Sequence, residues 1–182
     1  MNTYPVLITK RLMLLHLSMH HVDDLFEIFS NEKTTDHVPR EVHVSKSETV
    51  SYLEKKLADS VEGKSFIWAV SLKETGKIIG VAGMFNYSLK DRSASLGSVI
   101  NPEYRGNGYI SEAFKEIIRY AFTELGLARI EGKCESSNHA SERLIHKLGM
   151  VHEGTLRKNI LIKGTLRDTK IYSILQEEYK DF

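Results

Sequence analysis

Apolar residues along this chain alternate between a period of two and a period near 3.6, and the order of these switches predicts an α/β domain. Residues 12–15 read as a first strand. Ser18 then stands ahead of Val22, Leu25, Phe26 and Phe29, which share one helix face. Ser45 and Glu48 have capping-box spacing before a second helix carrying Val50, Leu53 and Leu57. Phe66, Trp68, Val70 and Leu72 alternate with Ile67, Ala69 and Ser71, and the turn residues 74–77 lead into residues 78–85, which predicts a β-hairpin. Residues 93–101 form the next strand. Ile110, Phe114, Ile117, Ile118, Ala121, Phe122 and Leu125 recur with helical period until Gly126 ends the helix. A strand over 128–134, a short helix over 140–148 and two closing strands over 155–162 and 167–175, turning at Lys163-Gly164, complete the order. The expected fold is therefore a mixed, largely antiparallel sheet of about seven strands with flanking helices. Its parallel crossover is made by the helix after Gly108.

Composition narrows the function classes. At 182 residues, a single domain spanning 1–182 is the expectation. The 25 Lys and Arg residues nearly cancel the 24 Asp and Glu residues, which leaves no global basic field to recruit nucleic acid. No apolar run approaches the roughly 20 residues of a membrane span, and the start Met1-Asn-Thr-Tyr-Pro5 has neither the basic nor the apolar part of a secretion signal, so a cytoplasmic location is expected. Cys134 is the single cysteine; its place in an alternating strand reads as core rather than nucleophile. The eight histidines and the single cysteine form no Cys/His ligand set of metal spacing, so no metal is expected.

The strongest chemical signal is Asn101-Pro-Glu-Tyr-Arg-Gly-Asn-Gly-Tyr-Ile-Ser-Glu-Ala113, between an apolar strand and an amphipathic helix. Gly106 and Gly108 can take positive φ and turn successive N–H groups toward one point, where the helix adds unsatisfied first-turn donors and its positive dipole end. That is a phosphate cradle. It lacks the Gly-Lys-Ser/Thr of a nucleotide-hydrolase loop, and Ser111 replaces the third glycine of a dinucleotide fingerprint.

Arg105-x-x-Gly108-x-Ile110 resembles the pyrophosphate loop of the GNAT acyl-CoA-dependent N-acetyltransferases. The resemblance extends upstream to Ala94-Ser-Leu-Gly-Ser-Val-Ile-Asn-Pro102 and downstream to Glu112-Ala113, Asn138-x-x-Ser141 and Lys147-Leu-Gly-Met-Val-His-Glu-Gly-Thr-Leu-Arg157. The order is similar to that of the RimJ/RimL branch, whose members acetylate N-termini of ribosomal proteins. The resemblance implies a GNAT fold with splayed fourth and fifth strands and acetyl-CoA as co-substrate. Cofactor contacts would come from Ser98, Val99 and Ile100 of the fourth strand, from Arg105, Gly106, Asn107, Gly108, Tyr109 and Ile110 of the loop, and from Asn138. It further implies the Val99 N–H as oxyanion donor and Ser141 as the group beside the departing thiolate. The tyrosine that many relatives use further along this helix is replaced by Ile145.

Two departures matter. Where the branch carries Ala-Glu-x-Gly-Tyr, this chain has Ala94-Ser-Leu-Gly-Ser98, so the strand carboxylate that could serve as base is missing. Glu32, His37 and His43 are the alternatives, while Glu112 is accounted for by the helix dipole alone. Ile110 stands where the loop pattern has Gly or Ala. The expected acceptor is a primary amine, foremost a protein or ribosomal-protein N-terminus, with a polyamine, amino acid or antibiotic amine as the alternative. A CoA-binding module without turnover is the non-enzymatic reading, and self-association as a homodimer stays open.

Overall fold

A computed structural model of the chain describes residues 4–180. It contains one eight-stranded sheet: β1 (Leu7–Ile8), β2 (Leu12–His16), β3 (Phe66–Leu72), β4 (Ile78–Ser88), β5 (Ser93–Ile100), β6 (Arg129–Glu135), β7 (Val151–Ile162) and β8 (Thr165–Leu175), in the order β1-β2-β3-β4-β5-β6-β8-β7. Every pairing is antiparallel except β5–β6. The added strand is the two-residue β1, too short to show a period.

Among the described residues four α-helices flank the sheet: α1 (Val22–Phe29), α2 (Lys46–Val61), α3 (Tyr109–Thr123) and α4 (His139–Lys147). The alternation in β3 explains the layering. Phe66, Trp68 and Val70 join the larger core with the buried face of α3, whereas Ile67 and Ala69 pack with Leu25, Ile28, Phe29 and Leu53 of α1 and α2. A strand buried on both sides needs apolar residues at every position, and burial of each large one contributes roughly 1.5–3 kcal/mol.

The Ser45–Glu48 capping box does not form. The Ser45 hydroxyl pairs with Ser47 Oγ at 2.8 Å, and Glu48 Oε2 accepts the N–H of Val44 at 3.0 Å. At the other end of the chain, Lys163 and Gly164 both adopt positive φ, 46° and 74°, and join β7 to β8 in a tight hairpin. The tip is held down by an ion pair between Lys163 Nζ and Asp36 Oδ1 at 2.8 Å, which ties the hairpin to the segment between α1 and α2. The mostly exposed β7 is the edge of the sheet.

Candidate active site

The parallel crossover opens the site. β5 and β6 pair only at Ser93–Arg129, Ala94–Ile130 and Ser95–Glu131. Beyond Ser95, β5 stays bound to β4 as far as Ile100, and β6 stays bound to β8 as far as Glu135. The two strands therefore diverge, leaving a cavity of about 250 Å³. Leu96, Gly97 and Ser98 line one side, Gly132 to Glu135 the other, and Asn138, with Ser141 and Ile145 of α4, the end.

The hydrogen-bond parity of β5 decides which backbone groups face this space. The register sets Val81 against Val99 and Gly80 against Ile100, and the Asn101 N–H donates to the Ile79 carbonyl at 2.8 Å. Bonded pairs alternate in an antiparallel ladder, so Val99 and Gly97 turn their amides toward β4, whereas Ser98 and Ile100 turn theirs toward the cleft. The expected Val99 oxyanion donor is thereby corrected: its N–H belongs to the ladder. Ser98, exposed on β5, presents its N–H to the opening instead.

At the head of β5, Asn101 accepts the Glu103 N–H at 3.1 Å and begins the glycine loop. Gly106 and Gly108 have φ of 80° and 77°, and Gly108 is the N-cap of α3. The side chain of Ile110 is buried in the core, so its size is accommodated away from the loop. Arg11 clamps the junction, donating to the Asn107 carbonyl at 3.1 Å and to Glu112 Oε2 at 2.7 Å, with its guanidinium 4.4 Å from the centre of the Tyr109 ring. Glu112 also accepts from the Thr9 hydroxyl at 2.6 Å and the Arg11 N–H at 2.7 Å; these bonds outweigh the burial that opposes ionisation and lower its pKa. It braces the loop and does not face the cleft.

The Arg105 guanidinium donates to the Lys33 carbonyl at 2.9 Å, which ties the loop to the α1–α2 segment. On the outer side of α3 lies a second cavity of about 490 Å³, lined by Asn107, Gly108 and Ser111 and by five basic side chains (Lys10, Arg11, Lys115, Arg119, Lys147) against Glu112 and Glu116. The buried Ser111 hydroxyl there has no hydrogen-bond partner among the described residues. An anionic group at the loop fits this surface.

In α4, Asn138 is a helix cap: its Oδ1 accepts the Ser141 N–H at 3.0 Å. Ser141 is half-buried and lines the cavity. Ile145, in place of a tyrosine, packs into the cavity wall. Cys134 also lines the cavity, and burial pushes its thiol pKa up, which disfavours a thiolate nucleophile.

The three alternative bases separate clearly. Glu32 is exposed in the turn at Glu32–Thr34. His43 bonds Thr49 Oγ1 at 2.8 Å and packs against Phe29 and Tyr52. His37 alone lines the cavity, with Nδ1 2.9 Å from Glu135 Oε2. Glu135, 5 % exposed, was not singled out by the sequence. Burial opposes its ionisation, but the Ser137 hydroxyl (2.6 Å), the Ser137 N–H (3.0 Å), His37 and Ser136 hold its pKa down at about 2. The sequence signal was an acid ending an alternating strand, followed by Ser136-Ser137. Thr169, opposite Glu135 on β8, also went unnoticed; the residue lines the cavity, and its hydroxyl is buried with no partner among the described residues.

Residues 11–151 match the acetyltransferase (GNAT) domain. The chain belongs to the GNAT family. Among its relatives, the uncharacterized N-acetyltransferase YoaA of Bacillus subtilis (strain 168) is 33 % identical over 95 % of this chain and 98 % of its own. A GNAT-family acetyltransferase structure from Bacillus anthracis superposes with a TM-score of 0.84 at 26 % identity, covering 95 % of this chain and 99 % of that one. Shorter matches, each 30 % identical, join 58 % of this chain to 57 % of the putative ribosomal N-acetyltransferase YdaF of B. subtilis (strain 168), and 56 % of it to 59 % of the spermidine N(1)-acetyltransferase of Vibrio cholerae. This GNAT protein is an N-acetyltransferase whose family uses acetyl-CoA. Among the described residues no group of three or more His, Cys, Asp or Glu is arranged to hold a metal, and no helix is long and apolar enough to cross a membrane.

Proposed function

We propose that this GNAT protein transfers the acetyl group of acetyl-CoA to a primary α-amine, foremost the N-terminus of a protein in the manner of the RimJ/RimL branch. The observation that carries the reading is the cleft beyond Ser95, lined by Ser98 of β5 and by Ser141, with the glycine loop following the end of β5 and capping α3. In this reading the N–H groups from Gly106 to Ile110, with Asn107, hold the pyrophosphate. Arg105, already bonded to Lys33, shapes the loop from behind. Ile100 holds the pantetheine arm, and the Ser98 N–H polarises the thioester carbonyl, a preorganised dipole aimed at developing negative charge. Asn138 fixes α4, and Ser141 hydrogen-bonds the departing thiolate.

The amine attacks within a ternary complex, the C–N bond forms, and the C–S bond breaks without an acyl-enzyme. The shared segment with YdaF, a putative ribosomal N-acetyltransferase, supports a protein N-terminus. The similar match to a spermidine acetyltransferase makes a polyamine the competing acceptor. An α-amine with pKa near 8 is far easier to obtain neutral than an ε-amine near 10.4. The test is a panel of N-terminal peptides, amino acids and polyamines with labelled acetyl-CoA, products identified by mass. Acetylated peptide N-termini are expected; spermidine as the preferred product would transfer the assignment to polyamines.

A further inference from the structure

Of the three alternative bases, His37 is the one that lines the cleft. His37 lies on the α1–α2 segment, about one hundred residues upstream of the strand that orients it, and its ring is half-buried at the cavity wall. Nδ1 is bonded to the carboxylate of Glu135 at 2.9 Å. Glu135 is itself fixed by three further donors from Ser136 and Ser137, so it cannot rotate away without losing them. An ionised carboxylate accepts only, which makes Nδ1 the protonated nitrogen and leaves Nε2 with a lone pair. A second observation points to a ligand at this place: the Thr169 hydroxyl, opposite Glu135, is buried in the same wall with no partner among the described residues.

We propose that His37, positioned by Glu135, is the general base that takes a proton from the acceptor ammonium, and that Thr169 hydrogen-bonds the incoming nitrogen. The proposal rests on the acetyltransferase reading and assigns the acceptor side of the same cleft. Proton balance is straightforward. The ammonium gives one proton to Nε2, which passes it to water. The neutral nitrogen bonds to the acetyl carbon, and the C–S bond breaks as the intermediate collapses. The second nitrogen proton then reaches the sulfur to give the free thiol. The charged groups around the ring are Glu135 and Lys133 from β6, Asp36 beside it, and, acting through Asp36, Lys163 of the β7–β8 turn and Arg105 of the glycine loop.

The experiment compares wild type with His37→Gln in thiol release from acetyl-CoA, with an N-terminal peptide as acceptor, across pH 6 to 9. His37→Gln should lower kcat/KM for the peptide by roughly 10²–10⁴-fold, remove the acid limb of its pH profile and leave acetyl-CoA affinity unchanged. Added imidazole should restore part of the rate to His37→Ala, which loss of a merely structural contact would not allow. Thr169→Val should raise the peptide KM about fivefold to tenfold with kcat retained. A wild-type rate and pH profile in His37→Gln would overturn the dyad while leaving acetyl transfer intact. No acceptor-stimulated release from the wild type would refute the acetyltransferase reading itself. An independent readout needs no acceptor: ¹⁵N spectra of histidine-labelled full chain at pH 8 should show His37 protonated at Nδ1, and an Nε2–H tautomer overturns the proposal.

Discussion

The two walls of the cleft are made of different material. On the β5 side, the groups available to a ligand are main-chain amides, at Ser98 and Ile100 because β6 departs after Ser95, and around Gly108 because a left-handed residue caps α3. On the β6 side they are side chains: Glu135, His37, Thr169 and Ser141. Backbone donors are placed by topology and cannot be deleted by most substitutions, so this wall suits the invariant partner, the cofactor. Side-chain chemistry can change one residue at a time, so this wall, apart from the Ser141 assigned to the departing thiolate, suits an acceptor that varies among relatives, and it combines the α1–α2 segment, β6, α4 and β8. The two walls are coupled mechanically, since Arg105 reaches the Lys33 carbonyl and Lys163 reaches Asp36.

If the β5 wall is backbone chemistry, its largest weakness is the one residue whose conformation only glycine accepts easily. Wild type should gain about 2.7 kcal/mol from acetyl-CoA at a hundredfold excess over Kd, and Gly108→Val, at a φ of 77°, should abolish that gain. Melting curves with and without ligand check this.

A pair of proline substitutions sharpens the division further. Ser98→Pro deletes an N–H that the ladder does not use and should lower kcat by roughly 10²–10³-fold in a folded protein. Val99→Pro deletes a ladder bond in the sheet and should reduce stability instead. Circular dichroism melts and steady-state rates distinguish the two, and the reverse pattern would restore Val99 as the donor.

On the side-chain wall, Ser141→Ala should reduce kcat about 10–10²-fold with acetyl-CoA affinity retained, which equilibrium binding beside turnover measures. The smallest effect concerns stability against pH. Glu135 has a folded pKa near 2, below its unfolded value, so it contributes stability above the ordinary carboxylate range that is lost as pH falls toward 2. Glu135→Gln should melt about 3–6 °C below wild type at pH 7, and the gap should narrow below pH 4.

The same division explains what the sequence revealed. The loop, the strand ahead of it and α3 were legible because glycine spacing and apolar period act locally, and α4 was legible within a residue for the same reason. The amide parity of β5 was not legible, because it depends on the register with β4 that the Asn101–Ile79 bond reveals. Nor was the meeting of His37 with Glu135, 98 positions apart, since no local pattern encodes a contact made across the sheet by the α1–α2 segment. The capping box at Ser45 failed for a local reason: Ser47 competes for its hydroxyl, and Glu48 reaches one residue further back to Val44.

Amide hydrogen exchange, followed residue by residue with and without CoA, tests the account at its centre. In the free protein Ser98 and Ile100 should exchange fast while Val99, bonded into the ladder, exchanges slowly. CoA should then slow Ser98, Ile100 and the residues from Gly106 to Ile110. Slow exchange at Ser98 and Ile100 before ligand is added, or CoA protection that bypasses β5 and the glycine loop, would contradict it.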